Sequence, residues 1–464
     1  MPPEPQPAPV RWSEAVPASF VVVGAVLTLI APFPLAAVGA ALFIVSAVRQ
    51  PVPSLCCVIL SLPVLPLPRA IGRYSFSPTE IMIVLATFGA LVRLMAVTVT
   101  SGIRSLHIRS AIVLVMATDP LIVALAGLMV IIAGLSLANS VAVHESVQSF
   151  RLIIVEPIVF FALVITQARQ RRDIVILFVA LIVAGTMISV VGVSQYVSGD
   201  RIITAEAGLR RIRGFYGSPN NLALFLGRCL PCAIAAALWW RRGRWLWVAG
   251  ATLMAVAILL TFSIGAFVAV ALSLLLVMRL HSPRTFRFAV GSGLVAAGGG
   301  LGLALAVPRI GSHLSLQSGT NSIRLFVWQS ALRMVVDHPI RGIGLDNFLT
   351  YYQHGYRFPE AWEEPALSHP HNIVLDFWLS LGLPGIILLG CLIVRFIEIV
   401  REEWGRTTPV GRGLYAGVAG AMADTILHGM VDNSFFLPDL AVLFWLMFAI
   451  VCLVRTQDSL VNPR

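Results

Sequence analysis

DIVILFVALIVAGTMISVVGVSQYV, Asp173 to Val197, carries a charge at its first residue and none after it. At 1.5 Å rise per residue, a helix of this length crosses a hydrocarbon core of about 30 Å. Arg169, Arg171 and Arg172 stand just before it, as basic residues do at one membrane face. Working outward, similar apolar runs recur at Ala18–Ala31, Leu35–Val48, Val52–Leu67, Thr79–Thr98, Pro120–Leu137, Glu145–Thr166 and Asn220–Trp240. They continue at Trp245–Phe262, Gly265–Arg279, Phe288–Val307, Asn372–Phe396, Arg412–His428 and Pro438–Val454. Several early runs are short or contain proline, so 12–14 crossings are expected. The fold class that follows is an all-α polytopic membrane protein.

Composition agrees. The 464 residues are 58% hydrophobic and 12% charged, about half the charge of a soluble domain. No run alternates with period 2, which speaks against a membrane barrel. Every basic residue is Arg and none is Lys, so an Arg at a given position is not evidence that Arg was needed there. The net charge of +11 sits in short hinges and makes no nucleic-acid patch. The six cysteines all lie in apolar runs; Cys229-Leu-Pro-Cys232 has redox-motif spacing but no βαβ context, so buried small residues are the better reading.

Four basic clusters fix the orientation: Arg169–Arg172, Arg241–Arg244, Arg279–Arg287 and Arg395–Arg412. Counting spans puts them all on one side, expected to be cytoplasmic. The organisation is then a disordered cytoplasmic tail at 1–17, a transmembrane bundle at 18–307 and C-terminal helices at 371–464. Segment 198–219, a large helical loop at 308–370 and the 429–437 turn lie outside. Two outside segments keep positive charge against the bias. Arg201, Arg210, Arg211 and Arg213 sit in the first; Arg309, Arg324, Arg333, Arg341 and Arg357 in the second. An anionic ligand would account for both, as would pairing with Glu206, Asp337, Glu360, Glu363 and Glu364. Arg151 lies in a span with Glu145 and Glu156, and Arg93, Arg228, Asp376 and Asp424 are further intramembrane charges. Such residues mark function by default, although Arg151 also fits a self-neutralising Arg–Glu pair.

The spacing predicts a helix from Ile323 to about Val336, capped by Asn321 or Ser322, with Arg324, Trp328, Ala331 and Val335 on one face. His338-Pro-Ile-Arg-Gly-Ile-Gly344 ends it, and a second short helix starts after Asp346. Ser368-His369-Pro370-His371-Asn372 runs straight into a span, which places His371 in a first helical turn. There the dipole disfavours imidazolium and keeps a neutral base. Eleven residues on, Gly382-Leu-Pro-Gly385 breaks that span, which is tolerated only where protein or a cavity covers the backbone. His369, His338 and Arg341 read as structural. The histidines and aspartates are too scattered for a metal cage, and His369-x-His371 alone is a weak pair.

Three stretches together resemble the O-antigen ligase and polymerase superfamily, which includes bacterial O-oligosaccharyltransferases. They are Arg213-Gly-Phe-Tyr-Gly-Ser-Pro-Asn220-Asn221, Arg324-Leu-Phe-Val-Trp328 leading to His338-Pro-Ile-Arg-Gly-Ile-Gly-Leu-Asp-Asn347-Phe, and His371-Asn372 followed by Gly382-Leu-Pro-Gly385. The resemblance covers about the second half of the chain. It implies a GT-C-like bundle in the bacterial cytoplasmic membrane with its site facing outside. It also implies metal-independent transfer without a cofactor, from a polyprenyl pyrophosphate-linked glycan donor to a glycan, lipid or protein acceptor. By the family's pattern Arg213 and Arg324 bind the pyrophosphate, with Arg151 a third. His371 takes or orients the acceptor proton. Asn372, Asn220, Asn221, Arg211 and Trp328 are supporting residues. A repeat-unit polymerase would share the site. An anionic-solute transporter is the reading from a different class, but the halves of this chain show no repeat symmetry.

Overall fold

A computed structural model describes residues 12–64, 67–71, 74–100, 118–204, 210–306, 320–362 and 366–461. Its helices are α1 Trp12–Ile30, α2 Phe33–Arg49, α3 Pro51–Ser61, α4 Pro78–Thr100, α5 Pro120–Ser136, α6 Val143–Gln167, α7 Arg171–Ser198 and α8 Pro219–Trp239. They continue with α9 Arg244–Leu260, α10 Ile264–His281, α11 Pro283–Ala306, α12 Thr320–Asp337, α13 Ile373–Glu403, α14 Pro409–Gly429 and α15 Pro438–Val461. Each of the fourteen apolar runs has become a helix. Eight helices are long and apolar enough to cross a membrane, and four further apolar ones are shorter. The chain is an all-α polytopic membrane protein. Two small hairpins, Arg69–Ile71 with Tyr74–Phe76 and Ile203–Thr204 with Arg210–Arg211, are the strands among the described residues. Of the expected tail, residues 1–11 lie outside the described residues, and from Trp12 the chain is helical.

α15 is buried from Asp439 to Val454 and stands as the bundle's central post. Its neighbours include α6 and α14, and α14 packs closely on α8 and α10. Large apolar side chains on α1, α2, α4 and α10 stay exposed, as on a lipid-facing surface. α1 and α2 pack tightly against each other, and the approach rests on Gly24 and Gly39. A methyl on Gly24 would meet the Phe43 amide at 2.7 Å, and one on Gly39 the Thr28 amide at 2.7 Å. Small residues of this kind let membrane helices approach.

The predicted break in α13 is real and explains how the large loop docks. Gly382 has φ 71°, and Pro384 follows it. The interruption frees backbone groups that would be costly unpaired at this depth. The 340–344 segment takes them up. Leu383 N–H donates to the Ile340 carbonyl (3.1 Å), while Ile343 and Gly344 donate to the Leu379 carbonyl (2.7 and 3.2 Å). α12 then packs on α13 through Ile323, Val327, Ala331, Met334 and Val335, with Leu379 in the same small core. The buried stripe is therefore shifted by about one residue from the predicted face. Arg324 and Trp328 sit at its half-buried margin, where a charge is less costly.

Candidate active site

Four elements converge at one end of the bundle: the start of α12, the start of α13, the 430–437 turn and the 210–217 loop. His371 is not in the first helical turn. It stands one residue ahead of the cap at φ 52°, a conformation that costs energy for a non-glycine residue and collects at functional sites. Asn372 is the cap. Its Oδ1 accepts from the amides of Val374 (3.0 Å) and Leu375 (3.1 Å), and its Nδ2 donates to the Met430 carbonyl (3.0 Å). The same residue thus starts α13 and ties it to the turn opposite.

That turn supplies Asp432, which no sequence pattern singles out. His371 Nδ1 lies 2.8 Å from Asp432 Oδ1, and the Asn433 amide donates to the same oxygen at 2.9 Å. Arg324 approaches Asp432 Oδ2 at 3.7 Å. Burial pushes the Asp432 carboxyl up, but the His371 hydrogen bond and the Arg324 charge outweigh it and hold the group well below the usual carboxylate range. An ionised Asp432 accepts only, so His371 Nδ1 carries a proton toward it and Nε2 is the ring nitrogen left for another partner. The orienting influence on His371 is therefore a carboxylate rather than the helix dipole inferred from sequence.

The arginines divide unequally. Arg211 is fixed by donating to the Thr261 carbonyl (2.6 Å) and to Asn220 Oδ1 (3.0 Å). Burial and the like charge of Arg324 lower its pKa, and Asp432 acts in the opposite sense, which places Arg211, Arg324 and Asp432 in one electrostatic neighbourhood. Arg213 instead donates within its own loop, to the carbonyls of Arg201 (3.2 Å) and Gly217 (3.5 Å). Arg151 pairs with Glu80 and with Glu156 (3.1 Å), and its side chain is 45% exposed. The pairing alternative weighed for it is present. It nonetheless lies in a π-helical turn, Phe150–Val155, a device frequent at functional sites. Ser149 and Leu152 beside it line a cavity of about 460 Å³ that also takes in Asn221, Asp346, His369 and Asn433. Trp328 keeps an indole N–H without a partner. Of the acids considered for the outside arginines, Asp337 accepts from the Tyr356 hydroxyl (2.7 Å). Glu206, Glu363 and Glu364 lie outside the described residues.

His369 is nearer the chemistry than expected. Its ring meets that of His371 edge-on at 4.2 Å, and its Nδ1 is buried without a partner. Burial, with the His371 charge, lowers its pKa to about 3. The unfolded chain then binds more protons between about pH 6.5 and 3, so stability falls as pH falls through that window. Thermal unfolding in detergent should show Tm dropping from pH 7 to 5, by at most about 1.4 kcal/mol per pH unit; His369→Gln should flatten the dependence.

His369, His371 and Asp432 offer one ligand atom each within 4.8 Å of one another. The donor types suit a transition ion. Against that, Arg324 already approaches Asp432, and its charge opposes a cation there.

Buried bonds hold the 430–437 turn. Arg228, fully buried on α8, donates to the carbonyl and hydroxyl of Ser434 (both 2.6 Å) and to the Thr425 hydroxyl (3.1 Å). Phe377 of α13 packs on Phe435 at 4.8 Å. Tyr216 donates to Asp439 (3.0 Å), and Gln195 bonds both ways with Gly214, fixing the loop that carries Arg211. Arg228→Met should destabilise by about 1–3 kcal/mol, because the buried Ser434 carbonyl and the Ser434 and Thr425 hydroxyls lose their donor; unfolding in detergent checks it.

An imidazole oriented by a carboxylate, with two arginines in the same electrostatic neighbourhood at one end of the helices, defines a class: a multi-pass membrane protein with a polar, arginine-bearing site at one end of its bundle. Residues 249–390, which contain Arg324, His371 and the α13 break, match the family model described as O-antigen ligase. The resemblance to that family is thereby shown over this stretch. A "Putative polysaccharide ligase" of Rickettsia conorii is 32% identical over 84 residues, covering 16% of this chain and 19% of that protein. The chain thus spans about a fifth of the relative it matches.

Proposed function

We propose that the chain transfers a glycan from a polyprenyl pyrophosphate carrier to an acceptor hydroxyl, without a metal, at the outer face of the bacterial cytoplasmic membrane. The observation that carries this reading is the His371–Asp432 pair with Arg324 on its second oxygen. His371 Nε2 accepts the acceptor's proton as its oxygen attacks the anomeric carbon. The bond from that carbon to the pyrophosphate breaks, and Arg324 and Arg211 take up the charge left on the phosphate. The proton then passes from His371 to water. Asp432 stabilises the imidazolium formed in between. Arg213 and Arg151 sit further out and are assigned to holding the carrier's phosphates on approach. A ligase and a repeat-unit polymerase share this chemistry and differ in the acceptor. The four basic clusters at the opposite end of the bundle support the orientation.

The test is transfer by the purified full chain in detergent containing EDTA. It uses a synthetic polyprenyl pyrophosphate glycan with lipid A core, the donor itself and a pilin-like protein as acceptors. Free polyprenyl pyrophosphate and one extended acceptor are expected, unchanged by EDTA. Product formed only with added divalent ion would end the metal-independent mechanism. Solute flux in liposomes with no transfer would favour a transporter.

A further inference from the structure

We infer that the cavity beside His369 is a sugar subsite that takes an uncharged or amino sugar and turns away a uronic acid. The inference rests on the transferase reading and names the substrate class of that site. The cavity's volume of about 460 Å³ lies within the roughly 300–1,000 Å³ of sites that enclose a small ligand.

Its chemistry differs from that of the neighbouring cluster. Among the described residues no arginine lines it, whereas Asp346 and Asp376 both do. A phosphate would meet two carboxylates and no cation, so the anionic part of the carrier belongs with Arg324 and Arg211, outside this cavity. Asp376 is 5% exposed, and its Oδ2 has no hydrogen-bond partner. A buried carboxylate oxygen left without a donor is costly, and such atoms call for an explanation. Sugar hydroxyls or a sugar ammonium supply the missing donor. Asp346 is fixed in place beside it, since Ser149 Oγ donates to its Oδ2 at 3.0 Å and its backbone sits at φ 57°. Gln148 and Asn221 add amides that both donate and accept, and Phe348 and Phe436 add apolar ring faces. Carboxylates, amides and aromatic faces together suit a ring with hydroxyls on its edge and C–H groups on its face. His369 lines the cavity and its ring meets that of His371, so a sugar bound there lies one imidazole ring away from the base.

A uronic acid would bring its own carboxylate into an enclosed cavity beside two carboxyl groups, with no cation in the lining to meet it. An unpaired charge taken out of water is costly, and that cost discriminates against the charged sugar.

The experiment is saturation-transfer NMR on the full chain in detergent, which needs no turnover and so separates this proposal from the transferase reading. N-acetylglucosamine, glucosamine and glucuronate are the probes. Wild type should saturate the first two at least tenfold more strongly than glucuronate. Asp376→Asn and Asp346→Asn, each checked by thermal unfolding, should admit glucuronate and reduce the preference to about twofold. Competition assigns the sugar to its source. Displacement by polyprenyl pyrophosphate N-acetylglucosamine but not by sugar-free polyprenyl pyrophosphate supports the proposal with the donor's sugar in the cavity; displacement by neither supports it with the acceptor's. Equal saturation by glucuronate in wild type, or an unchanged preference in both variants, would overturn it.

Discussion

His371→Ala should slow transfer by about 10²–10⁴-fold, the usual contribution of a positioned general base, with donor binding changed by no more than a few fold. The split follows from geometry. His371 meets Asp432 through Nδ1, and in the proposed mechanism its Nε2 faces the acceptor while Arg324 and Arg211 hold the pyrophosphate. Asp432→Asn should cost nearly as much. The amide can still meet Nδ1, but it no longer stabilises the imidazolium, and it leaves Arg324 without its counter-charge. Because the two residues act as one unit, the double variant should be only slightly slower than His371→Ala alone. Single-turnover rates with saturating donor, beside donor-binding titrations, read both quantities.

The second large effect lies away from any reacting atom. Gly382→Ala should destabilise the protein by more than the roughly 1–3 kcal/mol of a strained backbone position. At φ 71° an alanine is strained already, and its methyl would press on the Ile340 carbonyl oxygen. Nor can that carbonyl retreat, since it accepts the hydrogen bond of Leu383, one residue beyond the break. Gly342 on the facing stretch of chain is closed in the same way: a methyl there would lie 2.7 Å from the Trp378 carbonyl oxygen and would also press on that of Leu379. The Gly382 variant should therefore push the 340–344 segment off α13 and shift α12 with it, moving Arg324 from Asp432. Gly390→Ala is the control: the same helix, with open space around the added carbon, and an expected change within about 0.5 kcal/mol. Stability in detergent and the transfer rate should fall together for Gly382→Ala and stay level for Gly390→Ala.

The spans were legible because a membrane imposes a length and a polarity that no tertiary contact overrides. Even the short early runs, too brief to cross alone, became the helices that their apolar limits suggested. The α13 break was legible for a related reason, since Gly382 and Pro384 two residues apart both weaken the helical ladder, whereas Pro231 alone leaves α8 continuous. The site was legible only in part. His371 and Arg324 are marked by local pattern, but Asp432 arrives from a turn 61 residues away and carries no motif of its own. The one signal for it was topological: an acid in a short turn on the same side as His371. The exchange of Arg211 for Arg213 at the cluster has a local cause. Arg211 ends a two-residue strand and Arg213 opens the turn that follows it, so two residues of spacing decide which guanidinium points to Asn220 and which stays in its loop. Placing His371 in the first turn failed by two residues, because Asn372 took the cap.

The most direct measurement is single-turnover transfer from a polyprenyl pyrophosphate glycan by the full chain in EDTA, comparing wild type with His371→Ala and Arg324→Ala. The account predicts product from wild type, a rate lowered by at least about 10²-fold in His371→Ala, and weaker donor binding together with a slower rate in Arg324→Ala. Equal rates from all three proteins would contradict it.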